Sequence, residues 1–389
     1  MEKTIFVQIA SYRDSELPKT IADCLEKAAN PSRLTFGVCW QYDEETYTDL
    51  DQYLTRPNFR VSQHYYQQSQ GCCWARHNIN RLYQGEDYTL QIDAHTRFCE
   101  DWDEVLIEMI ESIDSGKPII STYPPPYIIE NGIEQLIHDR GIQKLKLASM
   151  KPDFTATQTT EKVKDPSIIG PSPLLAAGFL FTLGKFCSEV PYDPELYFNG
   201  EEISLAVRAY TSGYSFFYPN QDVLWHLYNH ANPLHWSDHN EVSTNYESNS
   251  KKRLKSLLTG DDKTLGVYGL GNLRTLAEFE QYSGISFNLK HDPIPEMFDR
   301  TIEVDRRQIE DRADYLYWIL TLVSSDGEEL FRYDIDDTSL LTKRKLKIRI
   351  HAQLADQPTR YVIWPYSKKL GYTQKVFFDL PQIKQGCAR

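Results

Sequence analysis

The chain has 389 residues, of which 41% are hydrophobic and 25% are charged. These values are typical of globular proteins and exclude a wholly disordered chain, a collagen and a coiled coil. The 42 Lys and Arg residues against 55 Asp and Glu residues give a net charge of −13. General nucleic-acid binders and proteins that bind anionic membrane surfaces carry basic patches instead. We therefore expect no nucleic acid and no membrane among the partners.

The apolar segments are short. The longest, residues 174–183, has about half the length that a membrane helix needs, and the apolar run near the start is too short for a secretory signal. The seven cysteines are scattered and form no C-x-x-C pair, which indicates reduced thiols rather than disulfides or a zinc site. A cytoplasmic location is the expectation.

The first 122 residues alternate between strand and helix patterns. The predicted strands are 4–10, 34–40, 60–66, 90–93 and 118–122, and the predicted helices are 15–29, 44–54, 74–83 and 101–113. This alternation predicts an α/β domain with a mostly parallel, doubly wound sheet. Because ligands of such sheets bind beyond the carboxyl ends of the strands, the loops after Ala10, Trp40 and Ile92 are the places to expect a site.

The remainder of the chain has a different pattern of predicted secondary structure. Residues 124–173 show no clear pattern and are predicted to form a long polar excursion. After them we predict strands at 174–183 and 223–228, helices at 201–210 and 275–282, and short tail strands at 315–323, 346–352, 361–364 and 376–380. The sequence therefore predicts an α/β domain over residues 1–288 and an all-β module over residues 289–389.

The most informative segment is TLQIDAHTRF, residues 89–98. An apolar strand ends there in Asp93-Ala94-His95, which places two metal-capable side chains on one turn. A carboxylate suits hard divalent cations, and an imidazole is tolerated by Mn²⁺-like ions. Asp-x-His alone is a weak motif, and a simple turn with a surface histidine is the alternative.

His226 is the best candidate for a third ligand. It lies in the late apolar strand DVLWH, whose end could return to the same edge of the sheet. His226 and His230 also have the spacing of helical zinc sites, but no glutamate lies between them to act as a general base, so this spacing does not indicate a metalloprotease.

Three further segments carry groups suited to an anionic ligand. Arg76 lies near the start of a predicted helix, where a diphosphate could bind, and residues 11–14 follow the first strand. Glu201 and Glu202 begin another predicted helix; either they only complement its dipole or they bind substrate. The small residues 176–178 indicate a close approach to the backbone.

Taken together, these segments resemble the cytosolic GlcNAc-transferase family, whose eukaryotic members modify hydroxyproline on a ubiquitin-ligase adaptor. The resemblance covers roughly residues 4–285 and is carried by ASYRD (10–14), CWARH (73–77), YTLQIDAHTRF (88–98), STYPP (121–125), AAGFLF (176–181) and VPYDPELYFNGEEISLAVRAYTSGY (190–214). It is similar more distantly to the polypeptide GalNAc-transferases and their Asp-x-His motif. Ala94 stands where the family usually has serine, between the two retained ligands.

The resemblance implies a GT-A glycosyltransferase domain with a Rossmann-like sheet, a bound divalent cation (Mn²⁺ or Mg²⁺) and a UDP-sugar donor. The metal ligands it implies are Asp93, His95 and His226; the donor contacts are Ser11, Tyr12, Arg13, Arg76, Asp93 and Gly178; and the catalytic candidates are Glu201 and Glu202. In this assignment the first four donor contacts bind the nucleotide and Gly178 lines the sugar pocket, while either glutamate holds the sugar or orients the acceptor.

The implied reaction moves a sugar, GlcNAc being favoured, from a UDP-sugar to a hydroxyl on a protein or peptide. The related families retain the anomeric configuration; in an inverting enzyme, Glu202 would be the natural base. The alternatives are a saccharide acceptor, or a non-catalytic sugar- or protein-binding module, against which the retained Asp93, His95 and Glu201 argue. Self-association is a further option.

One strand of the tail has a basic face. Lys345, Lys347, Arg349 and His351 alternate with apolar residues. Either this face is simply solvated, or it recruits an acidic acceptor or mediates self-association.

Overall fold

The structure is a computed structural model that describes residues 2–47, 49–138, 140–151, 153–229, 232–261, 263–287, 297–325, 327, 329–335, 338–354 and 357–380. These residues form two compact units. The first comprises residues up to 146 together with 160–228 and 232–287, and the second comprises 147–159, Asn229 and the residues from 297 onward. The predicted domain boundary at residues 288 and 289 lies outside the described residues, as does His230.

The first unit contains most of the helices and the large sheet. Its strands in chain order are β1 (Ile5–Tyr12), β2 (Leu34–Tyr42), β3 (Phe59–Tyr65), β4 (Tyr88–Asp93), β5 (Thr96–Phe98), β6 (Pro118–Ser121), β7 (Tyr127–Glu130), β8 (Ile133–Leu136), β9 (Gln143–Met150), β10 (Ala156–Lys162), β11 (Gly170–Pro171), β12 (Phe179–Leu183), β13 (Ser215–Tyr218) and β14 (Leu224–His226). Strands β9 and β10 continue into the second unit.

The helices of the first unit are α1 (Leu17–Glu26), α2 (Cys72–Asn80), α3 (Trp102–Glu111), α4 (Phe186–Glu189), α5 (Glu201–Thr211), α6 (His235–Asp238), α7 (Asn240–Leu258) and α8 (Leu276–Ser283). Within the described part of the chain, no helix is long and apolar enough to cross a membrane.

The central sheet has eight strands in the order β11-β13-β6-β12-β4-β1-β2-β3. Strands β1 to β4 are parallel to their neighbours among themselves, whereas β12 runs antiparallel to both β4 and β6. The carboxyl ends of β1 and β4 therefore lie side by side, and Ala10 is in register with Asp93. This mixed sheet with flanking helices is the predicted α/β class.

Helices cover both faces of this sheet. Ile5, Val7 and Ile9 of β1 point to one face and join the core that contains Leu17 of α1. Phe6 points to the other face and packs in a cluster with residues of α2. Each such fully buried aliphatic or aromatic side chain contributes about 1.5–3 kcal/mol. The alternation along β1 therefore fixes which helix lies on which side.

Three predicted elements differ from the structure. The predicted helix 44–54 is wrong: the described residues there form turns, because the Asp43 carboxylate accepts hydrogen bonds from the backbone N–H groups of Glu45 and Thr46 and so competes with a helix. The strand predicted over 174–183 is confined to β12. The excursion 124–173 contains strands β7 to β11.

The second unit has strands β15 (Met297–Asp305), β16 (Tyr315–Val323), β17 (Glu329–Ile335), β18 (Lys345–Leu354), β19 (Arg360–Ser367), β20 (Gly371–Tyr372) and β21 (Val376–Asp379), with a short helix α9 (Thr338–Leu341). Strand β18 pairs with β15, and its end also pairs with an earlier part of the chain, where Ser149 and Met150 lie opposite Leu354 and Gln353. The all-β texture predicted for the tail is therefore observed in these residues.

The basic face predicted on β18 is matched by acidic residues on β15. Lys345 and Lys347 lie 2.5 and 3.7 Å from carboxylate oxygens of Glu303, and Arg349 forms an ion pair with Asp299 at 2.9 Å. The side chain of His351 lies outside the described residues. Because these cations already have partners on the neighbouring strand, the solvated-face alternative is favoured over recruitment of an acidic acceptor.

Candidate functional site

The predicted metal ligands lie together at the carboxyl end of β4. Asp93 is the last residue of β4, His95 lies two positions after it, and His226 ends β14. One ligand atom of each lies within 4.8 Å of the others, and in the described ranges this is the one group of three or more His, Cys, Asp or Glu side chains with that geometry.

A small sheet brings the late histidine to the early turn. Strand β14 pairs antiparallel with β5, so that His226 lies opposite Thr96. The backbone N–H of Leu227 donates to the carbonyl of His95 at 3.1 Å, and that of His226 donates to the carbonyl of Pro125 at 3.0 Å. Backbone pairing on both sides therefore fixes His226 beside the Asp93–His95 turn.

The ligand atoms face a common space. The Nε2 atom of His226 lies 3.1 Å from Oδ2 of Asp93 and 3.1 Å from Nε2 of His95. The two imidazole rings meet edge to face, with centroids 4.6 Å apart. One carboxylate oxygen and two Nε2 atoms are thus directed at one point, as a bound cation requires.

The surroundings tune the protonation of these groups. Burial would raise the pKa of Asp93, but the hydrogen bond from His226 and the charge of Arg76 hold it well below its usual range. Burial and the neighbouring charge of His95 lower the pKa of His226. Metal ligands must be deprotonated, and these two shifts favour the ionised carboxylate and the neutral imidazole of His226. Burial lowers the pKa of His95, but its hydrogen bond to Asp14 and the charge of that carboxylate raise it overall, so a bound cation would have to displace a proton there.

Arg76 of α2 connects the metal-capable cluster to the first catalytic candidate. Its Nη2 atom donates to Oδ1 of Asp93 at 2.8 Å, and its Nε atom lies 2.9 Å from Oε1 of Glu201. The side chain is buried, and its Nη1 atom has no partner within the described residues. One guanidinium therefore balances two carboxylates and keeps a donor available for a ligand.

The two adjacent glutamates have different surroundings. Glu201 is buried and pairs with Arg76. Glu202 accepts a hydrogen bond from the backbone N–H of Ala177 at 3.0 Å on one oxygen, and from the Tyr123 hydroxyl at 2.8 Å on the other. Glu202 thus holds the backbone immediately before Gly178.

Gly178 lies against the cluster. A Cβ atom added there would be 2.7 Å from Oδ2 of Asp93 and 4.0 Å from the His226 ring. A side chain of any size at this position would occupy the space of the Asp93 carboxylate. The close backbone approach predicted for residues 176–178 is therefore an approach to a metal-capable side chain.

The residues predicted to contact the nucleotide lie at the end of β1. Arg13 adopts a left-handed backbone conformation with φ +46° and bonds Asp43 at 2.6 Å and Asp238 at 2.8 Å. The Tyr12 hydroxyl also donates to Asp238, at 2.7 Å. Ser11 is buried, and its hydroxyl has no hydrogen-bond partner within the described ranges. Tyr12 and Arg13 thus share Asp238 as a hydrogen-bond acceptor and form a second group of polar side chains at the end of β1.

Two residues of the β1–α1 region that the sequence did not connect with the metal site support the cluster. Asp14 lies 2.7 Å from Nδ1 of His95. The buried Thr20 hydroxyl donates to the carbonyl of Ala94 at 2.7 Å and accepts from the backbone N–H of Thr96 at 3.0 Å. No sequence pattern connects either residue with the Asp93–His95 turn, because both contacts span more than seventy positions.

Replacing Thr20 with valine is expected to loosen that turn. The change keeps the side-chain volume but leaves one buried carbonyl and one buried N–H without a partner, at a cost of about 1–3 kcal/mol in the free energy of unfolding. Chemical denaturation measures this loss, and Mn²⁺ titration should show weaker binding. The matched control is Thr182→Val on β12, which removes a buried hydroxyl that donates to the Pro118 carbonyl of β6 and should cost stability while leaving Mn²⁺ affinity unchanged. Equal Mn²⁺ affinity in both variants would contradict a role for Thr20 at the turn.

Comparison with known families identifies the family of this chain. A family model described as Glycosyltransferase (GlcNAc) matches residues 4–52 and 44–289. The chain therefore belongs to this glycosyltransferase family. The match covers the β1 and β4 ends, both glutamates and His226, and it confirms the resemblance found in the sequence motifs. A comparison with curated proteins finds no match.

Three solved structures are similar to this chain to different degrees. GalNAc-T7 with UDP, GalNAc and Mn²⁺ is 15% identical at a TM-score of 0.51, covering 97% of this chain and 79% of that one. TarS (1–349) from S. aureus in complex with UDP-GlcNAc is 13% identical at a TM-score of 0.38, covering 63% and 66%. The mannosyltransferase PcManGT from Pyrobaculum calidifontis, with GDP-Man and Mn²⁺, is 9% identical at 0.37, covering 56% and 55%. The first of these confirms the GT-A fold of this glycosyltransferase.

Proposed function

We propose that this glycosyltransferase moves GlcNAc from UDP-GlcNAc to a hydroxyl group on a protein or peptide, in a reaction that depends on a divalent cation. Family membership supports the transfer reaction and favours GlcNAc as the sugar. The observation that carries the proposal is the convergence of Asp93, His95 and His226 at the end of β4, next to Arg76.

The donor set fits Mn²⁺ better than Mg²⁺. Two imidazole nitrogens and one carboxylate oxygen are offered, and imidazole suits Mn²⁺-like ions, whereas Mg²⁺ prefers oxygen. The GalNAc-T7 structure was obtained with UDP and Mn²⁺, which is consistent with this choice. When bound, the cation would act as a Lewis acid toward the diphosphate of the donor.

The protein's own groups would hold the rest of the donor. The unpartnered Nη1 atom of Arg76 is a suitable donor to a diphosphate oxygen, and the buried hydroxyl of Ser11 is a suitable contact for the nucleoside. Tyr12 and Arg13 could bind the nucleotide only by sharing or releasing Asp238, which their donors now bond. Gly178, whose missing side chain leaves room for the Asp93 carboxylate, is the candidate for lining the sugar pocket.

Retention of configuration is part of the proposal. Both oxygens of Glu202 accept hydrogen bonds from the protein, so this carboxylate is better suited to positioning the 177–178 backbone than to taking a proton. Glu201 pairs with Arg76 and is the candidate for contact with the sugar or the acceptor.

Glu202→Gln tests this division of roles. The amide can still accept from Ala177 with its oxygen, so we expect transfer to fall by less than the roughly 10²–10⁴-fold that loss of a general base costs, with the same anomeric product. Measuring kcat and determining the product configuration by NMR checks both points. An inverted product from the wild-type enzyme would contradict retention, and an inverted product together with a loss within the general-base range would assign Glu202 as the base.

The proposed function itself is tested by a donor screen. Purified full-length protein is incubated with UDP-GlcNAc, UDP-GalNAc, UDP-glucose or GDP-mannose, with Mn²⁺ or with EDTA, and products are read by mass spectrometry. We expect Mn²⁺-dependent turnover of UDP-GlcNAc. Turnover of another donor would change the sugar, and binding without turnover under all conditions would favour a non-catalytic module. Peptide and saccharide acceptors in parallel arms distinguish the acceptor classes.

A cytoplasmic location belongs to the same proposal. The six cysteines in the described part of the chain are all free thiols, as expected in a reducing compartment. Self-association is tested by light scattering of the full-length protein.

A further inference from the structure

Asp14 is not one of the three candidate metal ligands, but it contacts one of them, His95. It lies just before α1, is 5% exposed, and has both carboxylate oxygens engaged. One oxygen accepts from the backbone N–H of Glu16 at 2.9 Å, and the other lies 2.7 Å from Nδ1 of His95. The first contact fixes the direction of the carboxylate, so the second fixes the direction of the imidazole.

This arrangement selects one form of the His95 ring. An ionised carboxylate can only accept, so the contact requires a proton on Nδ1. The neutral ring then presents its lone pair at Nε2, and Nε2 is the atom that lies 3.1 Å from Nε2 of His226. The ring cannot turn over without losing the bond to Asp14. A carboxylate behind a ligating histidine also raises the basicity of the ligating nitrogen.

We propose that Asp14 is a positioning residue for the metal site: it fixes the tautomer and orientation of His95, and thereby sets the affinity for the divalent cation. This inference rests on the proposed function, which places the cation between Asp93, His95 and His226. It also gives the β1–α1 loop two roles, because Arg13, a predicted nucleotide contact, directly precedes Asp14.

The chain contains a matched control for the test. Asp193 is also buried, also accepts from the backbone N–H two residues ahead, and also bonds a side chain with its second oxygen, in this case Arg253. Asp193→Asn and Asp14→Asn therefore remove equivalent buried charges. They differ in that only Asp14 contacts a predicted metal ligand among the contacts described.

The probe is Mn²⁺ alone, titrated onto the full-length protein and followed by electron paramagnetic resonance of the free ion. We expect Asp14→Asn to raise the Kd by about 10- to 100-fold, the range found when such supporting partners are removed. Asp193→Asn should leave the Kd unchanged. In the His95→Ala background, Asp14→Asn should add little further loss, because its effect passes through His95.

The outcomes separate this inference from the proposed function. If the wild type does not bind Mn²⁺, or if His226→Ala binds it equally well, the metal assignment fails. The inference about Asp14 then fails with it, because there is no bound cation whose affinity Asp14 could set. If wild-type binding is normal and Asp14→Asn matches it, the role of Asp14 alone is wrong. An additive loss in the double variant would assign the effect to the charge of Asp14 rather than to His95.

A measurement on the wild type keeps the inference testable even if Asp14→Asn does not fold. Nitrogen-15-labelled histidine shows the tautomer of each ring in long-range NMR spectra, and comparison with His95→Ala identifies the His95 signals. The metal-free protein should carry the His95 proton on Nδ1. A proton on Nε2 alone would overturn the proposal.

Discussion

Replacing His226 with alanine is expected to abolish Mn²⁺-dependent binding of UDP while leaving the fold intact. The side chain supplies one of three ligand atoms that converge within 4.8 Å, and its removal leaves two. Loss of a supporting partner behind a ligand already costs about 10- to 100-fold in metal affinity, so loss of a ligand itself should cost at least the upper end of that range. Strand β14 is held by backbone pairing with β5, which the substitution does not touch.

Calorimetric titration of UDP in the presence of Mn²⁺ measures this effect, with Asp93→Asn as a second ligand variant. The matched control is His64→Ala. His64 is also a partly buried histidine whose pKa is lowered by burial. It lies on the edge strand β3, and its ring contacts Ser62 and Trp74. Unchanged UDP affinity in both folded ligand variants would refute the metal assignment.

Gly178→Ala is expected to reduce transfer strongly with a modest loss of stability. The added Cβ atom would lie 2.7 Å from Oδ2 of Asp93, which is closer than real Cβ contacts come. The carboxylate cannot simply swing aside, since Arg76 and His226 bond it at 2.8 and 3.1 Å. We expect a shift of Asp93 that costs on the order of 10²-fold in kcat/KM, and overpacking that costs about 1–3 kcal/mol in the free energy of unfolding.

The control for this variant is Gly116→Ala, because a Cβ atom at Gly116 would meet nothing within 4 Å. Its kcat/KM and its melting temperature should stay at the wild-type values. Wild-type transfer by Gly178→Ala would show that a shift of the Asp93 carboxylate does not impair transfer. Unfolding of Gly178→Ala would contradict the expected modest loss of stability, because the added Cβ atom would then disrupt the fold and not only the site.

Much of the fold and the centre of the site follow from local patterns. Apolar strands such as β1 and β4 alternate with amphipathic helices, and their carboxyl ends are where Asp93 and His95 lie. The third ligand, His226, is also predictable from the sequence, because it ends an apolar run and its imidazole can bind a divalent cation. The family motifs, which follow one another in order along the chain, then connect these segments to one glycosyltransferase site.

The parts that local patterns missed depend on contacts distant in sequence. Helix α7 was not predicted because its sequence is largely polar, with Leu254, Leu257 and Leu258 as its buried anchors near one end. The turns after β2 were mistaken for a helix because the apolar spacing there does not reveal the bonds that the Asp43 carboxylate makes. The contact of Asp14 with His95 spans 81 positions and leaves no periodic trace.

The discontinuity of the second unit limits how the tail can be exchanged between proteins. Residues 147–159 belong to that unit although the chain reaches them long before residue 297, and Ser149 and Met150 take their strand partners from the end of β18. A gene cut after the first unit would therefore encode a strand end whose hydrogen-bonding groups lack their partners, and such unpaired edges promote aggregation. Recombination that replaced everything after residue 289 would meet the same obstacle. The tail and the segment 147–159 should thus be inherited together, and a swap of both at once is the graft that we expect to stay soluble.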